Sequence, residues 1–226
     1  MKTVEIEVGG HVFILLAEKA VLEPHSRTLF VADLHLGKTA TFRNEGIPLP
    51  EGSTETDLAR ISKLVERWDV RLLVVLGDLF HAAQGVPGHV TETFVRWRQT
   101  HAAIPVTLVL GNHDRRLRAW PPEWALEMHP EPHPWNGLHL RHFPPRGTYV
   151  EGPVWLAGHV HPSVRVRLGG RESITAPAFH VRSRGIVLPA FGSFTGTATQ
   201  RPQADDQAYA VVGESVLPIP AALRRR

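Results

Sequence analysis

"PVTLVLGNHD", residues 105 to 114, runs from an apolar stretch straight into glycine, asparagine, histidine and aspartate. A short Val- and Leu-rich run that ends on glycine reads as a buried strand feeding a tight turn. In an open α/β sheet, ligand-binding groups collect beyond the carboxyl ends of the strands. An amide, an imidazole and a carboxylate in succession at that point therefore mark a site, and the strand before them marks the sheet that carries it.

The same pattern recurs along the chain. "TLFVADL" (28 to 34), "RLLVVLGDL" (71 to 79), "LHLRHF" (138 to 143) and "VWLAGHV" (154 to 160) are further short apolar runs that end in polar residues. Between the first two lies a predicted helix in which Thr54 and Asp57 can form a capping box, with Leu58, Ile61, Leu64, Val65 and Trp68 on one face. Another, from His89 to Thr100, places Val90, Phe94 and Trp97 together. Strands that alternate with helices argue for βαβ units. After Pro121 the segments shorten and read as mainly β, ending in "AYAVVG" and "ESVLPIP". The expectation is one domain over residues 1–226, with a mixed sheet or two sheets packed face to face and a flexible tail at 220–226.

Composition narrows the chemistry. The 226 residues suffice for a sizeable core, and the absence of cysteine excludes disulfides, thiolate metal sites and cysteine nucleophiles. A reducing cytoplasm is the expected compartment. No apolar run has transmembrane length, and "MKTVEIEVGG" lacks a signal core, so no membrane partner is expected. Fourteen histidines are an unusual supply of metal ligands and acid–base groups. The formal charge is only +3, so arginines suited to phosphate do not by themselves call for nucleic acid.

Four motifs fall at strand ends: "DLH" (33 to 35), "GDLFH" (77 to 81), "GNHD" (111 to 114) and "GHVH" (158 to 161). Asp33 and His35 are two apart on what reads as an extended segment, so both leave on one side, and His159 and His161 repeat the spacing. Gly77, Gly111 and Gly158 precede the polar residues and permit sharp turns in a crowded site. So many ionisable groups brought together without compensation would cost several kcal/mol each, roughly, which calls for a cation. Mixed carboxylate, amide and imidazole donors favour Mn²⁺, Fe²⁺ or Zn²⁺ over Mg²⁺ or Ca²⁺. Asp33, His35, Asp78, Asn112, His159 and His161 outnumber the ligands of one ion, so two divalent ions about 4 Å apart are expected, with Asp78 as the bridge.

In this order the four motifs resemble those of the calcineurin-like metallophosphoesterases. The resemblance implies two mixed β-sheets flanked by helices, a four-layer αββα sandwich. It also implies Asp33, His35 and His161 on one metal, with Asn112, His159 and a further histidine on the other. His142 in "LRHFPP" matches that last position best, while His129, His133 and His139 share the segment. "DLHLGK", "FRNEGIPLPEGSTETDLARI", "GDLFH", "GHVHP" and "LPAFGSFTG" further resemble the bacterial PdeM phosphoesterases, from about residue 20 to 212. That group comprises ligase-associated DNA damage response endonucleases, in operons with a helicase and an ATP-dependent DNA ligase. Phe143 departs from relatives that often carry a second polar residue there.

The implied reaction is direct hydrolysis of a phosphodiester, in DNA during repair, most readily with Mn²⁺. His113, which cannot point the same way as Asn112, is expected to donate a proton to the leaving oxygen or to stabilise charge on the phosphoryl group, with Asp114 orienting its imidazole or capping the helix that follows. Lys38, Arg43, Arg115 and Arg116 are the nearest basic candidates for substrate phosphate, and His81 is a candidate support. "LPAFGSFTG" is expected as a strand and turn at the site's edge, its apolar residues in the core. The rival substrates are a small phosphodiester or monoester, such as a cyclic nucleotide, and a nucleotide-lipid pyrophosphate. A non-catalytic scaffold on this fold would have lost a ligand or the GNHD histidine, and none is missing.

Overall fold

Phe30, Val74 and Val109 leave their strands on one side, and Leu29, Val31, Leu73, Val75 and Leu108 on the other, yet all are buried. A sheet buried on both faces must lie between two other layers. The computed structural model describes residues 2–44, 46–81, 86–147, 151–169, 172–197 and 206–223, and shows those layers.

The first sheet follows chain order: β1 (Val4–Val8), β2 (His11–Leu16), β3 (Ala20–Glu23), β4 (Thr28–Val31), β5 (Leu72–Val75), β6 (Val106–Val109) and β7 (Glu127–His129). It is antiparallel through β4 and parallel from β4 to β7. The second sheet draws on β8 (His133–Trp135), β9 (Leu138–Leu140), β10 (Val154–Ala157), β11 (Ser163–Gly169), β12 (Glu172–Arg182), β13 (Gly185–Val187), β14 (Gln207–Val212) and β15 (Ser215–Ile219). Its order is β15-β14-β12-β13-β10-β9-β8, with β11 paired to β12. Phe13, Phe30, Val74, Leu140, Leu156 and Phe179 interdigitate between the sheets. The parallel strands β4, β5 and β6 of one sheet and β9 and β10 of the other deliver their following loops to a common edge.

Three helices, α1 (Lys38–Asn44), α2 (Ser53–Arg67) and α3 (Gly88–Thr100), cover the outer face of the first sheet. Leu58, Ile61 and Leu64 of α2 are buried there, each contributing about 2 kcal/mol. The two-sheet sandwich is as the sequence implied, but helices flank only the first sheet among the described residues. Over the second, Val164 and Val166 of β11 meet Ala176, Ala178, Ala208 and Ala210 instead. Small residues on that face let a hairpin lie close where a helix was expected.

Other expectations change in detail. Thr54 and Asp57 form no capping box: Gly52, with φ of 86°, caps α2 without a side-chain bond. Thr54 Oγ1 accepts from the Gly37 N–H, and Asp57 accepts from the Ser193 N–H and binds Arg60, so tertiary partners outcompete the local cap. Of the expected tail, Ala221–Leu223 form a short 3-10 turn, and residues 224–226 lie outside the described set. No helix among the described residues is long and apolar enough to cross a membrane.

Candidate metal centre

The motif residues lie beyond the strand ends proper. After β4 and β5 the loops continue to pair: the Asp33, His35 and Leu36 N–H groups donate to the carbonyls of Gly77, Asp78 and Leu79. This segment is not extended, as the sequence suggested. Asp33, His35, Asp78, His159 and His161 all have left-handed backbones, with φ of 54°, 49°, 52°, 69° and 43°. Each costs an L-residue about 1–2 kcal/mol, and the inter-loop bonds hold them there. Alternate left-handed residues turn their side chains to one centre while the backbone stays paired. Two glycines make room. At Gly77 (φ 82°) a Cβ would lie 2.1 Å from His142 Nδ1, and at Gly111 one would lie 2.3 Å from Asp78 Oδ1.

The side chains converge. Asp78 Oδ2 lies 3.6 Å from His142 Nε2, 3.8 Å from His35 Nε2 and 4.0 Å from His113 Nε2. Asp33 Oδ1 lies 3.6 Å from His161 Nε2. His142 Nε2 is 3.0 Å from Asn112 Oδ1 and 3.1 Å from His159 Nδ1. Backbone carbonyls fix two tautomers: His142 Nδ1–H donates to Leu76 and His161 Nδ1–H donates to Gly196, each at 3.0 Å. In the neutral rings, Nε2 of each then presents a lone pair to other acceptors. Asp33 Oδ1 and His35 Nδ1 are buried without a hydrogen-bond partner. Lone pairs facing lone pairs in a buried site is an arrangement that a cation completes. Asp33, His35 and His161 form one group fit to hold an ion, and Asp78, His142 and His159 another.

Burial and mutual repulsion keep most of these rings neutral. His35 is pushed down to about 2 by burial, reinforced by His161 and His113. Burial also lowers His113 and His159, against the pull of Asp78 on the first and of Asp33 and Asp78 on the second. His161 differs. Burial acts to lower it, but the Asp33 carboxylate and the Gly196 carbonyl prevail and raise it above 6.5. The metal-free ring thus holds its proton to higher pH than a free histidine, whereas a cation needs the neutral ring. Metal uptake should therefore expel a proton from His161, and affinity should fall as pH drops through that raised pKa, by up to about tenfold per pH unit. Calorimetric titration with Mn²⁺ in two buffers of different ionisation enthalpy checks this, since equal heats would rule it out.

Asp114 does not orient His113, and the short 3-10 turn Asp114–Arg116 receives no side-chain cap from it. Its fully buried carboxylate accepts from three backbone N–H groups, those of Asp78, Leu79 and Gly111, at 2.7, 3.1 and 2.9 Å. Converging amides outbid one imidazole for the carboxylate, and the result ties the loop after β5 to the loop after β6. Burial raises this carboxyl to about 6, the Gly111 N–H opposing and the Asp78 charge assisting. Asp114→Ala would orphan the three amides, and at about 1–3 kcal/mol for each unsatisfied group a destabilisation of about 3 kcal/mol or more is expected. Urea denaturation measures it; a loss below about 1 kcal/mol would refute this bracing role.

Other candidates divide. Of the histidines open for the last ligand, His142 joins the centre, whereas His129 and His133 stack on each other, ring centroids 3.8 Å apart. His81 stacks on His113 at 5.0 Å and meets His35 edge-on at 5.6 Å, and burial lowers it to about 4. It is thus nearer the chemistry than a distant support, and His35, His81 and His113 themselves form a group fit for an ion. Lys38 and Arg116 lie close enough to act electrostatically on His113. Arg43 instead binds the Pro50 carbonyl and pairs with Glu51, and Arg115 pairs with Glu131. Glu131 was not singled out from the sequence. It accepts from the N–H groups of His142 and Phe143, both at 2.9 Å, and so sets the His142 loop. The segment 188–196 forms a turn rather than a strand beyond Val187. Leu188, Ala190 and Phe191 are core, as expected, while Phe194 is exposed.

A family model for calcineurin-like phosphoesterases matches residues 26–172. The crystal structure of the Pseudomonas putida nuclease MPE superposes with a TM-score of 0.81 at 34% sequence identity, covering 96% of this chain and 100% of that one. The E. coli phosphoesterase Yfce aligns at 14% identity and a TM-score of 0.41, over 85% of this chain and 97% of that one. No curated protein matches.

Proposed function

We propose, from the premise that this chain belongs to the calcineurin-like phosphoesterase family, that it is a single-domain, two-metal phosphodiesterase that cleaves DNA during repair. The observation that carries this reading is the position of Asp78 Oδ2, within 4.0 Å of Nε2 of His142, His35 and His113 at once. One carboxylate oxygen that faces both ligand groups is what a shared bridge requires. Asp33, His35, Asp78 and His161 would hold one ion, and Asp78, Asn112, His142 and His159 the other, with Mn²⁺ favoured over Fe²⁺ and Zn²⁺. Bound divalent ions supply Lewis-acid neutralisation of phosphoryl charge and a water acidic enough to ionise near neutral pH. The chain's own contribution is to place His113 at the rim, where it protonates the departing oxygen. The nuclease identity of the Pseudomonas relative supports a nucleic acid as substrate; the PdeM-like motifs carry the choice of DNA and of a helicase and an ATP-dependent ligase as functional partners.

Chelation followed by metal return and a substrate panel tests this. Exhaustive chelation should abolish hydrolysis of bis-p-nitrophenyl phosphate, and Mn²⁺ should restore it. DNA cleavage should return in parallel and weaken as salt rises. Turnover without metal would refute the two-metal reading. Restored hydrolysis of the small ester or of cyclic nucleotides, without cleavage of DNA or RNA, would assign the protein to small phosphodiesters.

A further inference from the structure

Beside His159 a cleft of about 650 Å³ opens between the loop after β9 and the end of β12, lined by Phe143, Pro144, Pro145, Arg146, His159 and Arg182. Its volume suits a ligand of nucleotide size. The Phe143 ring stands 4.2 Å from that of His159 and 4.7 Å from that of His142, both edge-to-face, so it forms the boundary between the metal centre and the cleft. The Glu131 carboxylate fixes the Phe143 N–H, and two prolines follow, so the ring sits on a constrained backbone. Arg182, at the other side, is ion-paired to Asp206 at 3.4 Å and lies over the Trp155 ring. Arg146 is exposed, and among the described residues it makes no ion pair or hydrogen bond.

We propose that this cleft seats the nucleotide adjoining the scissile phosphate, its base against Phe143 and its outer phosphate on Arg146. The inference rests on the phosphodiesterase reading above and gives that reading its substrate-binding half. A held aromatic ring lining one cleft with an exposed guanidinium is the pair of groups that grips a strand without reading its sequence. Arg182, already neutralised by Asp206, shapes the wall instead. A paired base has both faces covered by its neighbours, so the cleft selects an unpaired strand.

Steady-state cleavage of a labelled single-stranded oligonucleotide, set against hydrolysis of bis-p-nitrophenyl phosphate by the same Mn²⁺-loaded samples, tests the proposal. Arg146→Ala should lower the oligonucleotide-to-small-ester ratio of kcat/KM about tenfold, through KM. It should also reduce the slope of log KM on log salt by about 0.7, the loss of one phosphate contact to a single strand. Phe143→Leu should lower the ratio about tenfold at unchanged metal content, and Phe143→Trp should recover it. Unchanged ratios in Arg146→Ala and Phe143→Leu, while the wild type cleaves both substrates, would overturn the cleft assignment and leave the phosphodiesterase reading intact. A wild type that hydrolyses neither substrate would instead overturn that underlying reading. Competition by free dAMP as tight as that by the strand would transfer the cleft to a mononucleotide and refute the strand assignment.

Discussion

Asp78→Ala should lose both bound metal and phosphodiester hydrolysis. Loss of one preorganised electrostatic group typically costs about 10²–10³-fold in kcat, and Asp78 faces both ligand groups, so a loss of about 10⁴-fold or more is expected. The side chain also accepts from the His113 N–H at 2.9 Å, so its removal frees the loop that carries Asn112. Elemental analysis after gel filtration, combined with kcat on bis-p-nitrophenyl phosphate, separates the possibilities. A variant that retains two equivalents of manganese would show that Asp78 is no bridge, whatever its activity. Asp78→Asn keeps the shape but not the charge, and should fall near the alanine variant if charge is what matters.

His113→Ala should behave differently: metal retained, and turnover on DNA down by about 10²–10⁴-fold, the usual worth of a positioned proton donor. The ring is one-fifth exposed, leans on His81 and His35, and keeps a buried Nδ1 without a partner. Its backbone, not its imidazole, bonds Asp78, so alanine leaves that contact in place. A leaving group that departs readily as an anion has little use for a donated proton. The loss should therefore be much smaller on bis-p-nitrophenyl phosphate than on DNA, whose departing sugar oxygen is far more basic. Equal losses on both substrates would assign His113 to charge stabilisation rather than proton donation, and undiminished DNA cleavage would remove it from the mechanism.

The residues proposed as metal ligands were legible in the sequence because each is a polar side chain at or just beyond the end of a short apolar run, and Gly77, Gly111 and Gly158 directly precede Asp78, Asn112 and His159. Asp33, His35, Asp78, Asn112, His142, His159 and His161 do come together. The route by which they meet was not legible, since left-handed backbones at Asp33, His35, His159 and His161 replace the assumed extended segments and no side-chain pattern announces a positive φ. Asp114 was misread because neighbours in sequence suggested a bond that distant amides claim instead. Glu131 escaped notice altogether: the groups through which it sets the His142 loop are main-chain N–H groups, which carry no mark in the sequence. The flanking helices came from the family resemblance; among the described residues they lie on the first sheet, and the β11–β12 hairpin lies over the second.

The acceptors behind His142 and His161 are the main-chain oxygens of Leu76 and Gly196, and every amino acid owns such an atom. A point substitution at either position cannot delete the partner as it could delete an aspartate. Sequence drift in these lineages can thus exchange the residues behind both imidazoles and still leave each ring's donor nitrogen an oxygen to bind, provided the loop keeps its path.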